Sequence, residues 1–172
     1  MLRPGMLLLM LFTLALSAGA ADPAFAPLWS YNGSWRVTPA SSNAGGKPYQ
    51  LAVECAIVGN YFTCQQTTEG RAGGLLVIVP AGQPGRYNTQ TIMPDGRATG
   101  RDELEISGNQ WTFRSRRQEG TKTTQYRTLY SFSGKDHIHF EQAQSSDGKQ
   151  WTVTNSGDQI RTTKASRPVR GR

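Results

Sequence analysis

Residues 55–64 of the chain read Cys-Ala-Ile-Val-Gly-Asn-Tyr-Phe-Thr-Cys, two short runs rich in β-branched and aromatic residues around a Gly-Asn pair. A two-residue loop at Gly59-Asn60 would join the runs as a β-hairpin, because this pair favours tight hairpin turns. In that register Cys55 lies directly opposite Cys64, at a non-hydrogen-bonded pair where strands approach closely. We therefore predict a Cys55–Cys64 disulfide with a structural role, which would stabilise the fold by about 2 to 3 kcal/mol.

Three more turn pairs predict hairpins by the same counting of residues outward from the loop. Each hairpin links segments that are neighbours in the sequence, which describes an up-and-down meander. The predicted facing pairs are Ile106 with Trp111 and Leu104 with Phe113 around Gly108-Asn109, Gln144 with Trp151, Gln142 with Val153 and Phe140 with Asn155 around Asp147-Gly148, and Met93 with Ala98 around Asp95-Gly96.

The whole chain is predicted to be all-β. Short segments rich in Thr, Val, Ile and aromatic residues recur between turn signals, and no window carries an apolar stripe long enough for a helix of three turns. A meander of this length leaves two unpaired edges unless it closes, which favours a single up-and-down antiparallel β-barrel of eight to ten strands, with a β-sandwich as the alternative. Strands are predicted at 34–38, 50–58, 61–67, 75–79, 86–93, 97–106, 110–116, 123–132, 137–144 and 149–155.

The two ends of the chain differ in composition from the middle. Arg3, an apolar run at 6–16 and Ala18-Gly19-Ala20 match a secretory signal peptide. The apolar run falls short of the roughly 20 residues that a membrane-spanning helix needs. We predict a signal peptide at 1–20 cleaved near Ala20, a barrel domain at 21–160 and a basic flexible tail at 161–172, in a periplasmic or secreted protein.

The positive net charge is concentrated in that tail. Residues 22–160 hold 13 basic and 12 acidic residues, whereas residues 161–172 add five basic ones. The tail has no aromatic residue that could stack on bases, which argues against a nucleic-acid interface. It can make weak contact with an anionic envelope surface or remain solvated. The sequence does not indicate an oligomeric state.

Residues 28–35, Leu-Trp-Ser-Tyr-Asn-Gly-Ser-Trp, place a Gly-x-Trp motif at the entrance to the first strand of the meander. In this motif the chain resembles the lipocalin and fatty-acid-binding superfamily, and over residues 28–161 it is similar to small bacterial lipocalin-like β-barrel proteins of unknown function. The resemblance implies that Trp35 plugs the closed end of the barrel and that Arg161, just after the last strand, lies over its ring.

A barrel of this size is wide enough to hold one small ligand. Its aromatic residues predict an exported lipocalin-like binding protein for a small hydrophobic or amphipathic ligand. The same rings could instead fill the core, and the sequence leaves both interpretations open. The candidate ligand-binding residues are Trp111, Phe113, Tyr126, Tyr130, Phe132, Phe140 and Trp151.

The alternative function is a protein- or polysaccharide-binding module of the cell envelope, for example an enzyme inhibitor. It predicts a filled core and a loop-borne site, for which Arg114, Arg116 and Arg117 are the candidates. We do not expect an enzyme, because the chain has no Gly-x-Ser-x-Gly elbow, no His-Glu-x-x-His and no phosphate-binding loop. In the densest acidic cluster, residues 102–105, Glu103 and Glu105 are expected on the outer surface.

The two histidines bear on cofactor binding, because a related family of ten-stranded barrels binds haem through a histidine. His137 and His139 alternate with apolar residues, and the predicted hairpin places them outside. A four-residue turn at 133–136 would instead place His137 opposite Phe132 and turn both rings inward. Two histidines alone cannot complete a structural zinc site. We expect no cofactor and no metal.

Overall fold

The structure is a computed structural model that describes residues 22–40 and 46–163. The predicted signal peptide at 1–20 lies outside the described residues, as does the predicted tail beyond residue 163. Two short 3-10 helices, Pro23–Phe25 and Pro27–Tyr31, form the N-terminal cap, and ten strands follow. The strands are β1 Gly33–Pro39, β2 Tyr49–Val58, β3 Tyr61–Thr68, β4 Arg71–Pro80, β5 Arg86–Ile92, β6 Asp102–Ser107, β7 Gln110–Glu119, β8 Lys122–Ser133, β9 His137–Ser145 and β10 Thr152–Thr163.

The sheet closes on itself. Every strand pairs antiparallel with its neighbours in sequence, and β1 also pairs with β10, which makes a closed barrel of ten strands. The predicted all-β up-and-down barrel is confirmed at the upper end of its range, and the β-sandwich alternative is wrong. Closure leaves each strand with a partner on both sides, so no free edge remains. Within the described ranges, no helix has the length and apolarity needed to cross a lipid bilayer.

Two of the predicted hairpin registers are correct pair by pair. In the β2–β3 hairpin Cys55 faces Cys64, and these residues form a disulfide with Cα atoms 4.1 Å apart. In the β6–β7 hairpin Ile106 faces Trp111, and the predicted neighbouring pair also forms. The glycine of each two-residue loop has a φ angle of 58°, a left-handed conformation that glycine adopts without strain. Turn chemistry is therefore sufficient to predict the register of these two hairpins.

The predicted hairpin around Asp147-Gly148 is wrong. The Asp147 carboxylate accepts hydrogen bonds from the backbone N–H groups of Lys149, at 2.8 Å, and Gln150, at 2.9 Å, while the Ser145 hydroxyl donates to it at 2.9 Å. These bonds hold residues 146–151 in a longer loop than the two-residue turn that the dipeptide favours.

The register of β9 and β10 shifts as a result. Gln144 pairs with Thr152 rather than with Trp151, and Val153 pairs with Ala143. A bulge between Val153 and residue 155 moves the pairing by one more residue. As a result Gln142 faces Asn155 instead of Val153, and Phe140 faces Gly157 instead of Asn155. A shift of one residue reverses the faces of a strand. Val153 is consequently 42% exposed.

The turn at Asp95-Gly96 also differs from the prediction by one residue. Asp95 accepts a hydrogen bond from the backbone N–H of Arg97 at 3.1 Å, and Met93 donates its N–H to the Arg97 carbonyl at 2.8 Å. Ala98 therefore pairs with Ile92 and not with Met93. Regular pairing of β6 resumes only at Asp102, so the predicted strand at 97–106 begins too early.

The N-terminal cap closes one end of the barrel. Its Phe25 and Trp29 rings pack on Phe62, with centroids 5.8 and 4.9 Å apart, and the Tyr87 hydroxyl donates to the Ala24 carbonyl at 2.6 Å. The large buried side chains lie at this closed end, which therefore holds the main core. They include Leu28, Tyr31, Trp35, Val37, Phe62, Ile78, Leu104, Trp111 and Ile138.

Candidate functional site

The floor of the barrel is formed by Trp35 and Arg161. The Arg161 Cζ lies 4.0 Å from the centroid of the Trp35 ring, the arrangement that the family resemblance implied. The guanidinium, only 8% exposed, also pairs with Asp136 at 3.2 Å and donates to the carbonyls of Ser30 and Asn32 at 2.8 and 2.6 Å. Burial lowers the pKa of Arg161, and the Asp136 charge opposes that shift. Each of the three guanidinium nitrogens of Arg161 thus donates to a backbone carbonyl of the fold, which gives the side chain a structural role.

A layer of aromatic rings lies directly above this floor. Tyr31 of the N-terminal cap has its ring centroid 6.4 Å from that of Trp35, 6.1 Å from that of Trp111 and 5.7 Å from that of Tyr130. The Trp111 ring packs on Phe132 at 4.9 Å. Three of the candidate ligand-binding residues, Trp111, Phe132 and Phe140, are buried in this part of the core. The closed half of the barrel is therefore filled.

The other half contains the barrel cavity, with a volume of about 200 Å³. Phe113, Tyr126 and Tyr130 line it, and they are the candidate ligand-binding residues that the structure brings together. The Phe113 and Tyr130 rings meet edge to face, 5.8 Å apart. Most of the remaining lining side chains are polar, which the sequence analysis did not predict. The residues added by the structure are Tyr31, Gln66, Leu76, Thr89, Thr91, Asp102, Arg114, Ser115 and Thr128.

Two tyrosines, Tyr31 and Tyr130, line the barrel cavity next to the filled half of the barrel. Burial is the main cause that raises the pKa of both Tyr31 and Tyr130, whose ring centroids lie 5.7 Å apart. The Gln159 side chain, 4% exposed, lies close enough to Tyr130 to lower its pKa. Its Oε1 atom has no hydrogen-bond partner among the described residues. Buried acceptors without partners are uncommon, because leaving one unpaired costs free energy.

Asp102 is the site residue whose inward position the sequence analysis missed. The sequence did contain the information, because Asp102 is spaced by two residues from Leu104 and by four from Ile106. Residues with this spacing lie on the same face of a strand, and the correct β6–β7 register places that face inside the barrel. Burial raises the pKa of Asp102, and the positive charge of Arg117 opposes the rise. Glu105 faces outward as expected, where it pairs with Arg114 at 2.9 Å.

The three candidate arginines do not form a loop-borne site. All three lie on β7, where alternation places Arg114 and Arg116 on the outer face and Arg117 on the inner face, in line with Phe113. The Arg117 Cζ lies 5.6 Å from the centroid of the Tyr126 ring. A second cavity of about 420 Å³, which we call the mouth, is lined by Arg116 and Arg117 and shares Asp102 and Ser115 with the barrel cavity.

Trp151 does not line the barrel, contrary to the prediction. The Cζ of Arg127, a residue on the outer face of β8, lies 4.7 Å from the centroid of the Trp151 ring. Arg127 also pairs with Glu141 at 3.3 Å. The loop at 146–151 carries Trp151 to the outside, because it replaces the two-residue turn from which the inward position was counted.

Both histidines face outward. The turn between β8 and β9 places Ile138 opposite Phe132 and His137 opposite Ser133, so the four-residue turn is wrong. The ring nitrogens of His137 and His139 lie 2.9 and 3.1 Å from the same carboxylate oxygen of Asp158. The bond with His137 is the main cause that lowers the pKa of Asp158. In the part of the chain that the structure describes, no group of three His, Cys, Asp or Glu side chains is placed to hold a metal ion.

Comparison with known proteins gives a fold and no family. No protein-family model and no curated protein sequence matches the chain. Ten solved chains are similar to it, among them that of the crystal structure of Rv2717c from M. tuberculosis. That chain is 18% identical, and the alignment covers 84% of the present chain and 100% of the other, with a TM-score of 0.54. At this level of identity the likeness shows a shared fold alone.

Proposed function

We propose that the protein is an exported, lipocalin-like binding protein that holds one small amphipathic ligand in the barrel cavity. The observation that carries the proposal is the composition of the cavity wall. Phe113, Leu76 and the ring of Tyr126 offer apolar surface, while Asp102 and the threonine and serine hydroxyls offer polar groups. Ligand sites in proteins combine apolar walls with a few placed polar groups in this way.

The cavity volume limits the size of the ligand. At about 200 Å³ the cavity is smaller than the usual range for drug-sized molecules. It corresponds to roughly seven molecules of liquid water at about 30 Å³ each, or a ligand of roughly ten non-hydrogen atoms. A long acyl chain does not fit within this volume, so among the hydrophobic and amphipathic ligands we favour a short amphipathic one.

Three observations support the lipocalin-like and exported parts of the proposal. The Gly-x-Trp motif opens β1, and Arg161 covers the Trp35 ring at the closed end. The Cys55–Cys64 disulfide suits an oxidising compartment, in agreement with the signal peptide proposed at 1–20. The protein would therefore act in the periplasm or outside the cell.

We propose binding rather than catalysis. Among the described residues that line the barrel cavity, Asp102 is the carboxylate, and both histidines lie on the outer surface. Acid–base chemistry needs a proton donor and acceptor near a reacting group. The hydroxyls beside Asp102 provide hydrogen bonds but no paired base.

A cavity-blocking variant tests the proposal. Thr128→Phe places a ring in the barrel cavity, whereas Thr112→Phe adds the same ring to the outer face of β7 as a matched control. Protein from the native host is analysed by native mass spectrometry for a co-purifying mass. Protein-observed NMR then follows titration with a panel of small amines, acids, alcohols and amino acids. We expect binding by the wild type and the control, with a loss of about tenfold or more in Thr128→Phe.

Two results would contradict the proposal. One is binding that Thr128→Phe leaves unchanged, and the other is the absence of any bound mass together with silence across the NMR panel. The alternative envelope module would give the second result, because its partner would bind outside the barrel. Of the candidate arginines of that alternative, Arg116 and Arg117 line the mouth from β7 rather than from a loop.

A further inference from the structure

Two opposite charges face the interior at the junction of the barrel cavity and the mouth. Asp102 lines both cavities, and Arg117 lines the mouth from the same face of the neighbouring strand. Neither side chain forms an ion pair with any residue that the structure describes. Asp102 is half-buried, and because a desolvated carboxylate without a partner costs free energy, a cationic ligand group would stabilise it.

The register gives the spacing of the two charges. The β6–β7 pairing places residue 103 opposite Arg114, so Asp102 comes next to Ser115, and Arg117 follows two residues later on the same face. Such diagonal neighbours have their Cβ atoms about 7 Å apart. The charge of Arg117 acts on the pKa of Asp102, although the two groups do not pair. The gap between them can therefore receive a ligand that carries both signs of charge.

We propose that the ligand is a small zwitterion, such as a free α-amino acid with an apolar side chain. Its ammonium group would lie against Asp102, its carboxylate against Arg117, and its side chain in the barrel cavity beside Phe113 and the Tyr126 ring. Adjacent ammonium and carboxylate groups match the order of the two protein charges along the wall. This inference rests on the proposed function, since it assigns a ligand class to the same cavity.

The Tyr126 ring supports this arrangement. It lines the barrel cavity and at the same time lies beneath the Arg117 guanidinium, 5.6 Å from ring centroid to Cζ. A guanidinium held on an aromatic face loses less freedom when it binds a carboxylate. The ring therefore orients Arg117 and also contributes apolar surface to the ligand's side chain.

A carboxylate-only ligand fits the barrel less well. The described cationic side chain at the barrel floor is Arg161, whose donors are already bound to carbonyls and to Asp136. Asp102, a like charge, lines the barrel cavity and would repel a carboxylate there. At the mouth a carboxylate can instead lie beside Arg117, which forms no ion pair with a described residue.

Three probes of one carbon skeleton separate the two charge contacts. Leucine carries both groups, 4-methylpentanoate lacks the ammonium, and 3-methylbutylamine lacks the carboxylate. Calorimetric titration of the mature protein should show leucine binding about tenfold or more tighter than either analogue, because each analogue leaves one protein charge unpaired. Asp102→Asn should remove the advantage over the acid, and Arg117→Gln should remove the advantage over the amine.

Outward residues of the barrel wall provide matched controls. Glu103→Gln on β6 and Arg36→Gln on β1 make the same change of charge at exposed positions that line neither cavity, and both should keep the preference for leucine. Equal affinity for the three probes, or loss of the preference in the two controls, would overturn the zwitterion and leave the small-ligand proposal standing. If none of the probes binds while Thr128→Phe abolishes binding of another panel member, the zwitterion is likewise wrong. If no compound of the whole panel binds, the proposed function itself is wrong.

Discussion

Arg161 illustrates how one side chain can close a barrel. Its guanidinium donates to the carbonyls of Lys135, Asn32 and Ser30 and covers the Trp35 ring. Arg161→Ala would leave these acceptors without a donor, so we expect the free energy of unfolding to fall by about 3 to 5 kcal/mol. Arg161→Lys keeps the charge, but a single ammonium group cannot donate to all three carbonyls as the planar guanidinium does. This variant should therefore recover only part of the lost free energy of unfolding. Urea unfolding measures both variants.

Arg127 provides the control at the residue scale. Its Cζ also lies over an indole ring, 4.7 Å from the Trp151 centroid, but the side chain is partly exposed on the outer face. Exposed ion pairs and cation–π contacts contribute little. Arg127→Ala should therefore cost about 1 kcal/mol or less. Equal losses for the Arg127 and Arg161 variants would show that the three carbonyl contacts of Arg161 do not account for the effect.

Asp102 should reduce the stability of the protein at neutral pH. Because burial raises its pKa in the folded state, the native protein binds this proton more tightly than the unfolded chain does. The resulting penalty is present when the carboxyl is ionised and disappears as the pH falls below its ordinary value of 3.8. We expect Asp102→Asn to raise the urea midpoint at pH 7 and to match the wild type at pH 3. A lower midpoint at pH 7 would contradict this expectation.

At the scale of single elements, the β2–β3 hairpin carries the disulfide. The bond spans a sequence separation of 9, a short loop, so removing it should cost about 2 to 3 kcal/mol through the unfolded chain. The doubly substituted Cys55→Ala, Cys64→Val protein should still fold to the same barrel, because Gly59-Asn60 and the Ile57 and Phe62 pair retain the register. Urea unfolding gives the loss, and amide exchange checks the β2–β3 pairing. A disordered hairpin in this variant would mean that the bond determines the register.

The hairpins also show what sequence reasoning can and cannot reach. The loops at Gly59-Asn60 and Gly108-Asn109 follow their dipeptides, so Cys55–Cys64 and the β6–β7 pairs were predictable. Asp147-Gly148 is an equally good turn pair, but the Asp147 side chain binds the N–H groups of the next residues and builds a longer loop. A two-residue turn therefore competes with a longer loop held by side-chain hydrogen bonds to the backbone. Turn preferences of a dipeptide do not describe the packing of the whole barrel, which decides between the two conformations. The misplacement of Trp151 follows from this one element.

For the whole molecule, the seam between β1 and β10 decides whether the barrel closes. A Cβ added at Gly157 would lie 2.8 Å from the Pro39 Cα and 2.9 Å from the Phe140 ring. Gly157→Ala must therefore push the two strands apart, at a cost of about 1 to 3 kcal/mol. Gly100→Ala is the control, because no atom lies within 4 Å of the added carbon. Thermal unfolding should separate the two variants, and equal melting temperatures would show that the seam adapts.

The division of the interior into two halves could be predicted only in part. The alternation of aromatic residues identified an inward face that includes Trp111 and Tyr130. This alternation does not distinguish the rings that pack against the N-terminal cap in the core from the rings that line the cavity. That depends on how far the cap reaches into the barrel, where Tyr31 contacts both rings. Sequence alternation gives the face of a residue, whereas depth along the barrel comes from the assembled structure.

The pairing of β1 with β10 has a consequence for biogenesis. The first and last strands to be synthesised are hydrogen-bonded neighbours, so neither can complete its pairing until the final residues of β10 exist. Contacts between such distant parts of a chain are slow to form. On the export route that we propose, the nascent polypeptide should therefore stay unfolded long enough to pass an export channel, and should acquire its native shape only after the last strand has crossed.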